Sequence, residues 1–189
     1  MARCASEPIA LSALGWSTVA GSIVHGHAQA LLGTGAHYEK LERLRRDATD
    51  YRARHGADLT EDLVAVHRSL GLVIDIADRV SLLANLTPRK ERELMLVGSA
   101  GMEETDPRFA DSLGRVLELY RDRVGVRSFN LALWRSPLGI TEGWGGIPLI
   151  ARIVDRGDPF VRPSDIGAME LYGTPIVSSD PFTLIEQLR

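Results

Sequence analysis

The chain has 189 residues, 44% of them apolar and 25% charged, which is ordinary globular composition and enough for a packed core. A net charge of -3 excludes the basic footprint of a nucleic-acid binder. The one cysteine, Cys4, excludes an intramolecular disulfide and a multi-cysteine zinc site, and it fits a reducing compartment, so a cytoplasmic location is expected.

Met1-Ala2-Arg3 carries no signal-peptide pattern. The stretch from Ile9 to Leu32 leans apolar, but His25, His27, Gln29 and several glycines interrupt it, so no membrane span is expected. Residues 16–32 read as one strand, stopped by Gly33-Thr34-Gly35. Alternate side chains of a strand share a face, which puts His25, His27 and Gln29 together. Two imidazoles and an amide are parts of a phosphate-handling site. One imidazole can attack phosphorus, and the other can bind a metal or orient its neighbour. The amide can donate a hydrogen bond to a phosphoryl oxygen.

From His37 to Arg54 the pattern is helical, with Tyr38, Leu41, Leu44, Ala48 and Tyr51 at spacings of three and four. Leu59, Leu63, Val66 and Leu70 mark a second helix, capped by Asp58 or Thr60, with Glu61 and Asp62 placed well against its dipole. Strands follow at Leu72–Ala77, Val80–Leu86 and Glu91–Gly98. Asp106-Pro107 opens an amphipathic helix whose stripe is Phe109, Leu113, Val116, Leu117, Tyr120 and Val124. Strands at Ser128–Trp134 and Ile147–Val154 come next, then a short strand around Met169–Val177. Ser179 or Asp180 caps a last helix, with Pro181 at its first position. The order predicts an α+β fold with a mostly antiparallel sheet and helices packed on it.

The segment Ala20-Gly21-Ser22-Ile23-Val24-His25-Gly26-His27-Ala28-Gln29 resembles the active-site strand of the galactose-1-phosphate uridylyltransferases, of the histidine-triad superfamily. Ser128 to Trp134, Ile150-Ala151-Arg152-Ile153, Ala168-Met169-Glu170 and the tail from Asp180-Pro181 to Leu188-Arg189 resemble later segments of that family in the same order. The resemblance implies a histidine-triad-like fold. It makes residues 1–34 the terminal strand segment of a first half and residues 35–189 a second histidine-triad-like domain. It also implies a nucleotidyltransferase that moves UMP between a UDP-sugar and a sugar 1-phosphate, as in galactose metabolism. His27 would be the nucleophile and Gln29 the donor to a phosphoryl oxygen. Gly21, Ser22, Asn130, Arg152 and Glu170 would bind substrate, and His25 matches a zinc ligand.

The chain departs from the family's pattern in specific places. His-Pro-His is His25-Gly26-His27, which loses the rigidity of proline. A metal-binding His-x-His is replaced by Trp144-Gly145-Gly146, and another metal histidine by Arg135; Glu39 would match a glutamate ligand. The zinc ligand set is incomplete, so low metal content is expected. Most of a first half is expected to be missing. The alternative reading is therefore a non-catalytic or truncated relative acting as a binding or oligomerisation module. A homodimer is expected, covering the apolar strand around Val19, Ile23 and Leu31. Ordinary roles are expected for the rest: His37, His55 and His67 solvated, Trp134 and Trp144 as packing residues, and Arg43 to Arg46 as a solvated helix face. Asn130 could be a structural hydrogen-bonder, Arg152 could pair with a carboxylate, and Glu170 could form a surface ion pair.

Overall fold

A computed structural model describes residues 39–136, 143–144, 147–157 and 177–189, and for 8–17, 25–34 and residue 39 it describes the backbone. The strands among the described residues are β1 (Pro8–Ser17), β2 (His25–Thr34), β3 (Val73–Ala77), β4 (Val80–Ala84), β5 (Leu94–Gly98), β6 (Phe129–Trp134) and β7 (Ile150–Asp155). The helices among the described residues are α1 (Glu39–His55), α2 (Leu59–Ser69), α3 (Pro107–Asp122) and α4 (Pro181–Leu188). The strands form one sheet in the order β2-β1-β6-β7-β5-β4-β3, with every neighbouring pair antiparallel. The predicted α+β class and antiparallel sheet are what the chain forms.

The N-terminal strand reading needs correction. Residues 16–32 are not one strand. The structure has two, β1 and β2, paired as a hairpin from Pro8↔Thr34 to Ser17↔His25. Residues 18–24 lie outside the described residues, as does most of the short strand expected at Met169–Val177. The hairpin joins the rest of the sheet through β1 and β6, from Leu11↔Trp134 to Trp16↔Phe129.

Alternation along the strands builds two layers. On one face Leu82, Leu94, Leu96, Leu131, Ala151 and Ile153 are buried under α3 and α4, which contribute Phe109, Val116, Tyr120, Leu184 and Ile185. On the other face Leu83, Met95, Val97 and Ile150 are buried beneath Leu44 of α1 and Val64 of α2. The Tyr120 hydroxyl donates to the Arg92 carbonyl at 2.9 Å, and burial pushes its pKa well up.

The helix starts follow local chemistry. Asp58 accepts from the backbone N–H groups of Thr60 and Glu61, Asp106 from that of Arg108, and Asp180 from those of Phe182 and Thr183. Each satisfies donors that a helix N-terminus leaves unpaired. The hydrogen-bonded Arg108 guanidinium holds the Asp106 carboxyl at about 2. Glu91 anchors the entry to α4, accepting from the backbone N–H groups of Ser178 at 2.7 Å and Ser179 at 2.9 Å. Burial pushes the Glu91 carboxyl up, but these bonds outweigh it and leave it below the usual range.

Candidate active site

The candidate site is assembled by sheet register. His25, His27 and Gln29 occupy alternate positions of β2, the edge strand, opposite Ser17, Gly15 and Ala13 of β1. Gly15 pairs in turn with Asn130, and Ala13 with Ala132. Ala132 pairs with Arg152, and Arg152 with Met95. Residues directly opposite one another share a face, as do residues two apart. Positions 25, 27, 29, 130 and 152 therefore all lie on the sheet face that α1 and α2 cover further along. With strands about 4.8 Å apart, position 27 stands roughly 10 Å from position 130, and position 29 roughly 14 Å from position 152. That is a span fit for an extended ligand rather than a single bond-making cluster.

Arg152 is tightly held. Its Nε and Nη2 both donate to Oε1 of Glu93, the former at 2.8 Å, and its guanidinium lies 5.1 Å from the centre of the Trp134 ring. The Glu93 side chain is fully buried, while that of Arg152 keeps 19% of its surface exposed. Glu93 also accepts from Asn85 Nδ2 at 2.9 Å and from the backbone N–H of Arg89 at 2.6 Å. A buried carboxylate survives only with such partners. Of the two roles open to Arg152 in the sequence, the carboxylate partner is thus present. The bonds to Glu93 use Nε and Nη2, and among the described residues Nη1 makes no hydrogen bond. Asn130 is exposed on β6. Gly21, Ser22, His37 and Glu170 lie outside the described residues.

His67 overturns its expected solvation. It is 2% exposed; its Nε2 accepts from the Leu86 backbone N–H at 3.1 Å, and its Nδ1 lies 2.8 Å from the Leu63 carbonyl. Accepting at Nε2 leaves the proton on Nδ1, so the ring donates to Leu63 and ties α2 to the loop after β4. His55 is exposed and packs on the Tyr51 ring at 4.5 Å. The Arg43 to Arg46 run is a helix face with pairs along it, Arg45 and Arg46 both on Glu42 and Arg43 on Asp47. The hydrogen-bonded Arg45 and Arg46 guanidiniums hold the Glu42 carboxyl at about 2.

The places where the resemblance has its second metal do not fit one. Arg135 is a cation and pairs with Glu104. Trp144 is 3% exposed and packs with Leu41 and Ile147. Among the described residues no three acidic, histidine or cysteine side chains converge on one point. A cavity of about 300 Å³ opens on the same sheet face, between Thr60 and Val64 of α2 and Ser81, Val97 and Ser99. It lies at the β4–β5 end, away from β2.

No protein-family model and no curated protein sequence matches the chain. Solved structures do. A uridylyltransferase matches with a TM-score of 0.79 at 12% identity, over 97% of this chain and 60% of that one. An ADP-glucose phosphorylase from Arabidopsis thaliana with bound ADP-glucose matches with a TM-score of 0.74 at 13% identity, over 97% and 59%. A GalT-like protein from Arabidopsis thaliana gives 0.77 at 16% identity, over 97% and 61%. This chain has the uridylyltransferase fold. The resemblance read from Ala20 to Gln29 and from the later segments is borne out at the level of fold. The chain spans about three-fifths of the length of each of these proteins. No helix among the described residues is long and apolar enough to cross a membrane.

What the sequence did not single out is Glu93. It sits inside a segment read as strand, and its partner Arg152 is far along the chain. No local signal marks it, because Glu93 ends the charged run Lys90-Glu91-Arg92-Glu93 just before the apolar β5 and looks like an ordinary surface acid.

Proposed function

We propose that this chain is a nucleotidyltransferase subunit that carries a nucleotide on His27. The observation that supports it is the shared sheet face of positions 25, 27, 29, 130 and 152 on a fold otherwise found in a uridylyltransferase and an ADP-glucose phosphorylase. The His27 imidazole attacks the α-phosphorus of a nucleoside diphosphate sugar. An N–P bond forms, the bridging P–O bond breaks, and the sugar 1-phosphate leaves. An oxygen of a second sugar 1-phosphate then attacks the same phosphorus, breaks the N–P bond and frees His27. Gln29 donates to a non-bridging oxygen as charge builds there. Gly21 and Ser22 approach the phosphate, while Asn130, Glu170 and the outer edge of the Arg152 guanidinium contact the rest of the ligand. UMP is the nucleotide the resemblance implies, and the bound ADP-glucose of the plant phosphorylase makes an ADP-sugar the second candidate.

Incubation with UDP-glucose or ADP-glucose radiolabelled in the α-phosphate tests this. Acid-labile label should appear on the protein and vanish in His27→Ala, whose circular dichroism should match the wild type. Label that survives in that variant would remove His27 from the mechanism.

A second reading is a non-catalytic relative that keeps the fold as a binding or oligomerisation module. One observation favours it: Arg152 is engaged by Glu93. Absence of label with both nucleotide sugars would select this reading.

A further inference from the structure

We propose that the cleft between α2 and the β4–β5 end of the sheet binds a free α-amino acid, held as a zwitterion. The cleft measures about 300 Å³. Its floor includes the sheet rung where Ser81 pairs with Val97. Helix α2 walls it with Thr60, Glu61, Val64 and Arg68, whose spacings of one, three and four put them on one side of the helix. Strands β1, β6 and β7 stand between β5 and β2, so the cleft is apart from His27 and does not depend on the proposed transfer.

Some polar groups of the cleft are already satisfied. Asp58 caps α2 and pairs with Arg52, and Arg68 pairs with Asp75. Others are open. Thr60 is 7% exposed, and its hydroxyl makes no hydrogen bond among the described residues; Ser99 Oγ is buried and has no partner either. Folded chains rarely leave buried hydroxyls unbonded, so two on one cleft point to bonds supplied from outside the chain. Two charges are open as well. Among the described residues neither the Glu61 carboxylate nor the Arg79 guanidinium forms an ion pair, although both line the cleft. Arg79 makes one long bond, to the Ala100 carbonyl at 3.3 Å, and the nearby Asp106 is taken by Arg108. Arg79 also has φ 63, a left-handed conformation that glycine or asparagine adopts more cheaply.

The ligand class follows from what is open. The cleft offers one negative charge, one positive charge and two hydroxyls, between apolar walls at Val64, Val97 and Pro148. An α-amino acid presents its ammonium to Glu61, its carboxylate to Arg79 and an aliphatic side chain to those walls. Its two charged ends can also bond the Thr60 and Ser99 hydroxyls. A sugar phosphate fits worse, because its two negative charges would meet Asp58 and Glu61 with one open cation to balance them. A nucleotide sugar needs more room, and among the described residues no aromatic ring lines the cleft to stack on a base.

Isothermal titration of the whole chain with L-valine, L-leucine and L-methionine tests this. At least one should bind saturably, with a Kd between about micromolar and millimolar. For the tightest of them, the amino alcohol that lacks the carboxylate and the acid that lacks the ammonium should each bind about tenfold more weakly or worse. Glu61→Gln and Arg79→Asn should weaken binding by a similar factor with unchanged circular dichroism. Arg79→Asn should not lower Tm, because asparagine suits the left-handed turn. Thr60→Val should weaken binding, also without lowering Tm, because it removes a hydroxyl that the fold does not use. No saturable binding of any of the three amino acids below about 10 mM would overturn the proposal. So would equal binding of the amino alcohol or the acid, or binding untouched by both Glu61→Gln and Arg79→Asn. Inorganic phosphate or glucose 1-phosphate binding more tightly than the amino acids, and depending on Arg79, would overturn it by making the cleft an anion site.

Discussion

Replacing Glu93 by glutamine should be among the most damaging single changes in the chain, although it alters one atom. The carboxylate is fully buried and accepts from Arg152 Nε and Nη2, Asn85 Nδ2 and the Arg89 backbone N–H. An amide keeps one acceptor oxygen and turns an NH₂ toward donors, so at least one of them is left facing another donor. Breaking one side of a buried pair costs about 3–5 kcal/mol, mostly the penalty of the stranded charge. For a domain of this size that is a fall in Tm of roughly 6–20 °C. Differential scanning calorimetry of Glu93→Gln, Arg152→Met and the double variant measures it as a cycle. The double variant strands no charge, so it should be clearly more stable than the sum of the two single losses implies. A loss under about 1 kcal/mol for Glu93→Gln, or strict additivity in the cycle, would refute the description of this pair as a mutually dependent buried unit.

His67→Leu should cost about 1–3 kcal/mol in urea denaturation, because the Leu86 N–H loses its acceptor in a buried place. Asp106→Asn should be less stable than wild type at neutral pH, and the gap should close in acid. The native carboxyl is held near 2 against an ordinary 3.8, so its contribution is whole above about pH 4 and is lost as pH falls toward 2. Thermal melts across that window check the sign. If the proposed transfer occurs, Gln29→Ala should lower its single-turnover rate on the order of 10²-fold while leaving Tm within a degree or so, since it removes one donor to the transition state. Undiminished turnover would mean the amide takes no part.

The parts of the fold that were legible in the sequence are those fixed within a few residues. Asp58, Asp106-Pro107 and Asp180-Pro181 announce helix starts, because capping is chemistry between a side chain and N–H groups two or three positions on. The apolar β4 and β5 were equally plain. Strand β1 was not, since Ile9-Ala10-Leu11-Ser12-Ala13-Leu14-Gly15 mixes small and apolar residues without a sharp alternation or a turn signal before Trp16. In α2 the periodicity gave the helix correctly, but periodicity does not say which side faces the core. His67 is inside only because the Leu86 N–H, which belongs to another element, is there to meet it. The alternation of His25, His27 and Gln29 was readable, whereas their alignment with Asn130 and Arg152 depends on a pairing between β1 and β6 that no local pattern encodes.

That pairing also sets the order of events in folding. The remaining strands connect mostly to near neighbours in the chain, but the β1–β2 hairpin joins the sheet only where Trp16 meets Phe129 and Leu11 meets Trp134. Its docking closes a loop of more than a hundred residues, from Trp16 to Phe129, and contacts across so large a sequence separation form late and slowly. Among the described residues the hairpin pairs with the rest of the sheet only along β6. A local opening there would carry His27 away from the face that has Asn130 and Arg152. If the proposed transfer occurs, its rate therefore follows the opening free energy of one hairpin and not the stability of the chain alone.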